Sequence, residues 1–356
     1  MKPDLGPCPH APPEGTNASA AAVALALLLA APFAAAQPPA LPPRPAPAVE
    51  ALVGEYGLDP ARLVLREMNG ALEVSPDGRN FAKVREIGGD RFEADGLGAF
   101  RVDRGVPLRR TDGKGVRSVI QGISVGSAFL PRRDFAGSEG VFRITPLRPV
   151  AELSREARSL SPPSETADFL PSNLVDIRSL DKSIRLDVRY ATPANFLATP
   201  VYGKAQVRLQ RPAAEALVRA HRALRSSGYG LLLHDGYRPW FVTWIFWNAT
   251  PEASREFVAD PAQGSRHNRG CAIDLTLFDL KTKRAVEMPG GYDEMSPRSY
   301  PDYQGGTSRQ RALRALLRMA MEREGFAVYE SEWWHFDYKD WPRYAIANQS
   351  WWKEKD

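Results

Sequence analysis

The apolar positions of this chain fall into two textures. From Val49 to about Leu153, short apolar runs alternate with turn residues. Leu63-Val64-Leu65-Arg66-Glu67-Met68 runs into Asn69-Gly70, Leu72-Glu73-Val74 precedes Asp77-Gly78, and Phe92 to Phe100 contains Gly96 and Gly98. Val116 to Ile120 and Gly140 to Ile144 continue the pattern. Asn-Gly and Asp-Gly between such runs are hairpin signals, because the tightest hairpin turns need positive φ. The stretch therefore predicts a small antiparallel β meander or barrel.

From about Leu174 the periods mix. Ile184 to Tyr190 alternates like a strand, and so does Ala272-Ile273-Asp274-Leu275-Thr276-Leu277-Phe278. Pro212 at a first-turn position opens a helix expected to reach about Ser227, where Gly228 stops it. Gly230 to His234 is a continuous apolar run, read as a buried strand that delivers the turn Asp235-Gly236-Tyr237-Arg238-Pro239. Trp240 to Trp247 reads as a buried aromatic helix, and Ser308 to Glu324 as an amphipathic one ended by Gly325. Helices ahead of strands, with no regular βαβ alternation, predict an α+β domain with a central antiparallel sheet.

Shifts of composition set the boundaries. Residues 1–37 read as a secretory signal: Lys2 in the n-region, an apolar Ala18 to Leu29, and Ala34-Ala35-Ala36 before Gln37. The alternative is an uncleaved anchor, though the run is short and Ala-rich for a span. Residues 38–48, rich in Pro and Ala, read as a linker. The all-β accessory domain then covers 49–153, a polar linker with Pro162-Pro163 covers 154–173, and the α+β domain covers 174–356. The leader reading places the mature protein outside the inner membrane, in the periplasm.

Composition is ordinary for a globular protein, at 43% hydrophobic and 25% charged residues. The net charge of +5 is mild, and the arginines are scattered with no basic stripe between aromatics. Nucleic-acid binding is therefore not expected, whereas the charge could help approach to an anionic wall or membrane surface. Loss of the leader would remove Cys8 and leave Cys271, so no intramolecular disulfide is expected. Cys271 reads as a small buried filler rather than a fourth metal ligand.

The chemistry concentrates in Ser265-Arg266-His267-Asn268-Arg269-Gly270-Cys271-Ala272-Ile273-Asp274 and in Glu332-Trp333-Trp334-His335. Two imidazoles, one carboxylate and a spare glutamate are the inventory of a catalytic zinc site with an open position and a general base. Gly270 permits a sharp turn or a close backbone approach, so His267 can lean over the Asp274 strand. Glu332 and His335 share a face if their run is helical; as a strand end, the run needs a bulge to point both inward. Trp, Phe and Tyr favour the strand. Of the other histidines, His221 sits at packing positions of a helix, and His234 precedes the Arg238 turn and could line the site.

Ser-x-His-x-x-Gly-x-Ala-x-Asp followed by Glu-x-x-His resembles the D-alanyl-D-alanine dipeptidase family of zinc peptidases. The resemblance spans about Leu174 to Trp341 and includes Tyr190-Ala191-Thr192 with Asn195-Phe196, and Leu231 to Pro239 with its Asp-Gly-Tyr-Arg-Pro. It implies one Zn²⁺ held by His267, Asp274 and His335, Glu332 as catalytic base, and Arg238 supporting the oxyanion. It also implies Tyr190 and Asp293 near the substrate amino group and Ser265 near its carboxylate. The plain alternatives are a turn-holding Arg238–Asp235 pair, a packing Tyr190, a turn Asp293 and a capping Ser265. The expected substrate is D-Ala-D-Ala or a related cell-wall peptide, with no stable protein partner. A D,D-carboxypeptidase on muramyl peptides and a non-catalytic, zinc-stabilised wall-binding protein are the other readings. The β region, which from Leu52 to Tyr56 resembles β domains appended to some secreted serine hydrolases, could contact the wall or another protein.

Overall fold

Asn69 and Gly70 both adopt positive φ (51° and 89°), the turn that suits the twist of a two-residue hairpin. They join strands Leu63–Met68 and Ala71–Ser75. The computed structural model describes residues 40–105, 108–109, 116–117, 119–135 and 141–352. The leader expected over residues 1–37 lies outside them. Among the described residues, no helix is long and apolar enough to cross a membrane.

The first sheet is an antiparallel meander. Gly54–Tyr56, Leu63–Met68, Ala71–Ser75, Ala82–Gly88, Arg91–Ala94, Gly98–Arg104, Ile120–Val125 and Ala128–Pro131 pair in that order. Arg133 N–H donates to Glu55 O (2.9 Å) and Gly57 N–H to Pro131 O (2.8 Å), tying the last strand back to the first. Inward-facing Tyr56, Leu65, Val74, Phe92, Phe100 and Ile123 form its own core.

The second sheet has the order Arg185–Leu186, Tyr229–Asp235, Ala272–Asp279, Glu332–Tyr338, Phe326–Tyr329. All its pairs are antiparallel except the first, which is parallel. Tyr229–Asp235 is buried at every position and Ala272–Asp279 at all but the last, which accounts for their nearly unbroken apolar texture. Helices Arg211–Leu224 and Ser308–Glu322 pack on one another and on this sheet. Helix Trp240–Ala249 packs against Val150–Ala157.

Several expectations need correction. Ile184 to Tyr190 is not one strand: after Arg185–Leu186 the chain curls into a 3-10 turn, Arg189–Ala191, that buries Tyr190. No strand forms over 141–144 of the expected Gly140–Ile144 run (Gly140 is not described), and Ile144 N–H donates instead to Phe196 O (2.9 Å). Some of the residues read as linkers are bound to the rest of the chain. Val150–Ala157 crosses the expected boundary at 153 and buries Val150, Leu153 and Ala157 in the second core. Glu165 accepts from Arg269 Nη2 (2.5 Å) and from Ile346 N–H (2.7 Å). Upstream, Leu41 packs on the same core and Pro42 O accepts from Arg309 (2.8 Å). The described residues fall within one compact unit in which the two sheets keep separate cores.

Candidate active site

Strand register creates the site. Asp274 pairs with His335 on one side, and beyond an irregularity in the neighbouring strand it pairs with Asp235 on the other. Directly opposed residues put their side chains on one face, so Asp235, Asp274 and His335 form a row across three strands. His267 comes over this row on a 3-10 turn, Arg266–Arg269. Ser265 caps that turn in a capping box with Asn268, and Gly270 ends it at φ 69°. A Cβ at Gly270 would sit 2.5 Å from Leu174 Cδ2, so both proposed uses of the glycine hold. The Glu332–His335 stretch is a strand beginning at a tight turn, with the register shift between Val328 and Tyr329 of its partner. That irregularity lets Glu332 and His335 face one site despite their odd spacing.

The converging atoms fit a cation. His267 Nε2 lies 3.3 Å from Asp274 Oδ1, His335 Nδ1 lies 3.1 Å from the same oxygen, and the two nitrogens are 3.1 Å apart. His267 Nδ1 is 2.7 Å from Gly236 O, an acceptor only, so the proton sits on Nδ1 and the Nε2 lone pair faces inward. His335 Nε2 is 3.0 Å from Asp337 Oδ1, which frees its Nδ1 in the same way. Two lone pairs and a buried carboxylate oxygen without a hydrogen-bond partner thus meet at one point. The three ligand atoms lie within 4.8 Å of one another, as a metal ion requires.

The electrostatics agree. Burial opposes ionisation of Asp274, yet His267 and His335 hold its carboxyl well below the usual range. Burial would lower His335, but Asp337 and Asp274 override it and raise the imidazole to about 10. The site therefore demands positive charge, which either a proton or a metal ion can supply. Asp337 orients the imidazole and is itself ion-paired to Arg266. Asp337→Asn is expected to weaken metal binding about 10- to 100-fold. Competition with a chromogenic chelator measures this.

Glu332 Oε2 stands 3.6 Å from His335 Nδ1 and is outside the three-ligand cluster. Burial raises its carboxyl, His335 opposes and Asp274 reinforces, and the outcome is about 7. Arg238 forms the turn-holding pair with Asp235 and also lines the cavity beside Asp274. Its Nε donates to Asp235 Oδ2 (2.8 Å), while Nη2 reaches to 3.6 Å from Asp274 Oδ2. Its guanidinium lies over the rings of Tyr190 and Phe246. Asp235 is held in turn by Tyr202 Oη (2.8 Å).

Tyr190, Ser265 and Asp293 all line the same cavity, of about 420 Å³. Tyr190 Oη donates to Asp293 Oδ1 (3.0 Å), and Asp293 Oδ2 is buried with no partner. Burial, with Asp274 nearby, pushes the Asp293 carboxyl well above its usual range. Asp293 takes φ 57°, strained for a residue with a Cβ. Ser265 Oγ accepts from His267 N–H (3.2 Å), so its capping role is realised. His234 is no ligand: it stacks on Tyr292 (4.4 Å, 21°), whose hydroxyl donates to Asp274 Oδ2 (3.1 Å). His221 packs as expected, bonded to Ser183 and to Leu231 N–H. Cys271 is buried in the core, its thiol pushed up to about 12 by burial.

Sequence reasoning missed Asp337, Tyr292 and Asn268. Asp337 is two residues beyond His335 on a strand, hence on the same face, and that spacing could have flagged it. Asn268 Nδ2 donates to Arg238 O (2.8 Å) and to Thr243 Oγ1 (2.9 Å), locking the Arg238 turn to the His267 turn. Tyr292 gives no such signal, because a long loop brings it in.

The chain is similar in sequence to known proteins. Residues 171–352 match the family described as D-ala-D-ala dipeptidase. A D-alanyl-D-alanine dipeptidase of Escherichia coli is 33% identical, over 47% of this chain and 84% of its own length. One from Enterococcus faecium is 37% identical over 45% and 88%, and one from Streptomyces coelicolor 36% identical over 47% and 91%. The family match covers the part of the chain that carries the second sheet, and the chain is a peptidase of the D-alanyl-D-alanine dipeptidase family.

Proposed function

We propose that this peptidase hydrolyses the free dipeptide D-Ala-D-Ala in a zinc-dependent reaction, in the turnover of cell-wall peptides outside the inner membrane. The observation that carries the reading is the convergence of His267 Nε2, Asp274 Oδ1 and His335 Nδ1 beside the Glu332 carboxylate. Zinc bound there would supply Lewis-acid polarisation of the scissile carbonyl and a lowered pKa for its water. Glu332, poised near neutrality, takes the water proton and passes it to the leaving amine. Arg238, fixed by Asp235 and dry against two rings, supports the negative charge that grows on the carbonyl oxygen. Asp293, costly to ionise while unpaired, becomes favourably charged when a substrate ammonium arrives. Ser265, already committed to its cap, has an oxygen lone pair left near the substrate carboxylate.

Asp293 also favours a dipeptide over a longer chain, since only a free amino terminus one residue from the scissile bond would satisfy it. Glu256 and Phe257 of the 252–257 turn line the cavity, and Phe257 packs edge-on against Tyr300 (6.4 Å). The leader read over residues 1–37 supports the extracytoplasmic location. D-Ala-D-Ala is expected to be cleaved with a kcat/KM at least about tenfold above that for a muramyl pentapeptide ending in the same two residues, about 1.4 kcal/mol of discrimination. Release of D-alanine from both substrates, followed amperometrically or with a coupled oxidase, measures it. The reverse preference would identify a carboxypeptidase.

A further inference from the structure

The first sheet sits against one particular stretch of the peptidase, residues 288–308, which carries Asp293 and leads into helix Ser308–Glu322. Two buried carboxylates of the sheet are directed at it. Glu67, 3% exposed, accepts from Ser308 N–H through Oε2 (2.7 Å), capping the helix from another sheet. Its own N–H donates to Gly306 O (3.1 Å), and Asn69 N–H donates to Ser308 Oγ (2.9 Å). Glu55, 1% exposed, accepts from Tyr303 Oη (2.9 Å) and from Arg133 (3.1 Å). Buried carboxylates are costly unless donors are fixed around them, so these contacts are built to hold a geometry.

The other end of the stretch is tied as well. Phe135, which follows the last strand of the sheet, lies 4.7 Å under the Arg298 guanidinium. Arg298 donates to Pro289 O and pairs with Glu294, both at 3.1 Å. Glu294 is the residue after Asp293; it is 1% exposed and accepts from Gly291 N–H (2.9 Å) and Ser296 Oγ (2.6 Å). A strained φ at Asp293 persists only when the surroundings over-determine it.

We propose that the N-terminal sheet positions the amine-binding wall of the active site. Glu55 and Glu67 fix the far end of residues 288–308, Phe135 fixes the near end through Arg298, and together they hold the Asp293 carboxylate where a substrate ammonium meets it. The kinetic consequence rests on the dipeptidase reading above; the positioning does not. Glu55, Glu67, Phe135 and Tyr303 are positioning residues and touch no reacting atom.

The test uses the full chain with Tyr303→Phe, which removes a single hydroxyl, and Glu67→Gln, which keeps the shape and drops the charge. Each is expected to raise KM for D-Ala-D-Ala on the order of five- to tenfold, the loss of one well-placed hydrogen bond, with kcat within about twofold. In an Asp293→Asn background, Tyr303→Phe adds nothing further, because both act on one contact. Hydrogen exchange of the amides of residues 291–299 speeds up in both single variants. A merely structural role would lower kcat and melting temperature equally in both backgrounds, and that result overturns the proposal. So does unchanged KM with unchanged exchange. If the wild type does not cleave the dipeptide, the functional reading fails on its own. Exchange then decides: faster exchange confined to 291–299 upholds the positioning, and none overturns it.

Discussion

Glu332→Gln lowers kcat on D-Ala-D-Ala about 10²- to 10⁴-fold, the range for loss of a general base, while the protein keeps its full metal content. The pair of outcomes matters more than either alone. Glu332 is within 3.6 Å of His335 Nδ1 yet is not one of the three converging ligands, so its loss leaves the cluster intact. Its carboxyl, lifted by burial to about 7, is basic enough to take a proton and acidic enough to return it. The same shift predicts the stability of the metal-free protein. A carboxyl whose folded-state pKa lies above the unfolded value of about 4.3 keeps its proton longer in the fold. Stability therefore falls as pH rises from about 4.3 through about 7. Glutamine escapes that cost, so the metal-free variant unfolds at pH 8 at no lower temperature than metal-free wild type. Undiminished turnover in the variant would remove Glu332 from the role.

Arg238→Lys lowers kcat about 10²- to 10³-fold with KM little changed, as for loss of one donor to a developing oxyanion. Lysine keeps the charge but loses the fork. Nε of Arg238 is committed to Asp235, leaving the outer nitrogens to face Asp274 and the cavity, and a single ammonium cannot do both. A rise in KM with kcat preserved would instead assign Arg238 to ground-state binding.

Much of the candidate site is legible in the sequence because strand period and spacing act locally. Asp274 on an alternating run, His267 seven residues earlier across a glycine, and Glu332 with His335 three apart are recognisable as chemistry even before a fold is known. The helices over Arg211–Leu224, Trp240–Ala249 and Ser308–Glu322 follow their periods and stop signals. What the pattern misses depends on long-range partners. Nothing local announces that Ile184 to Tyr190 breaks after Arg185–Leu186, since Tyr190 turns inward to reach Asp293, over a hundred residues away. The Pro-rich and polar stretches resemble linkers in composition, yet Pro42 and Glu165 are bound to Arg309 and Arg269. Glu67 looks like one charged residue of a hairpin, and its burial is evident only once Ser308 caps onto it.

In the proposed reaction the His267–Asp274–His335 cluster holds a zinc ion that turnover needs. Release of D-alanine from D-Ala-D-Ala by the full chain, before chelation, after it, and after zinc is restored, tests this most directly. Release that stops with the chelator and returns at about one zinc per chain is the expected result. Release that continues unchanged in chelated protein shown to be free of metal would contradict it.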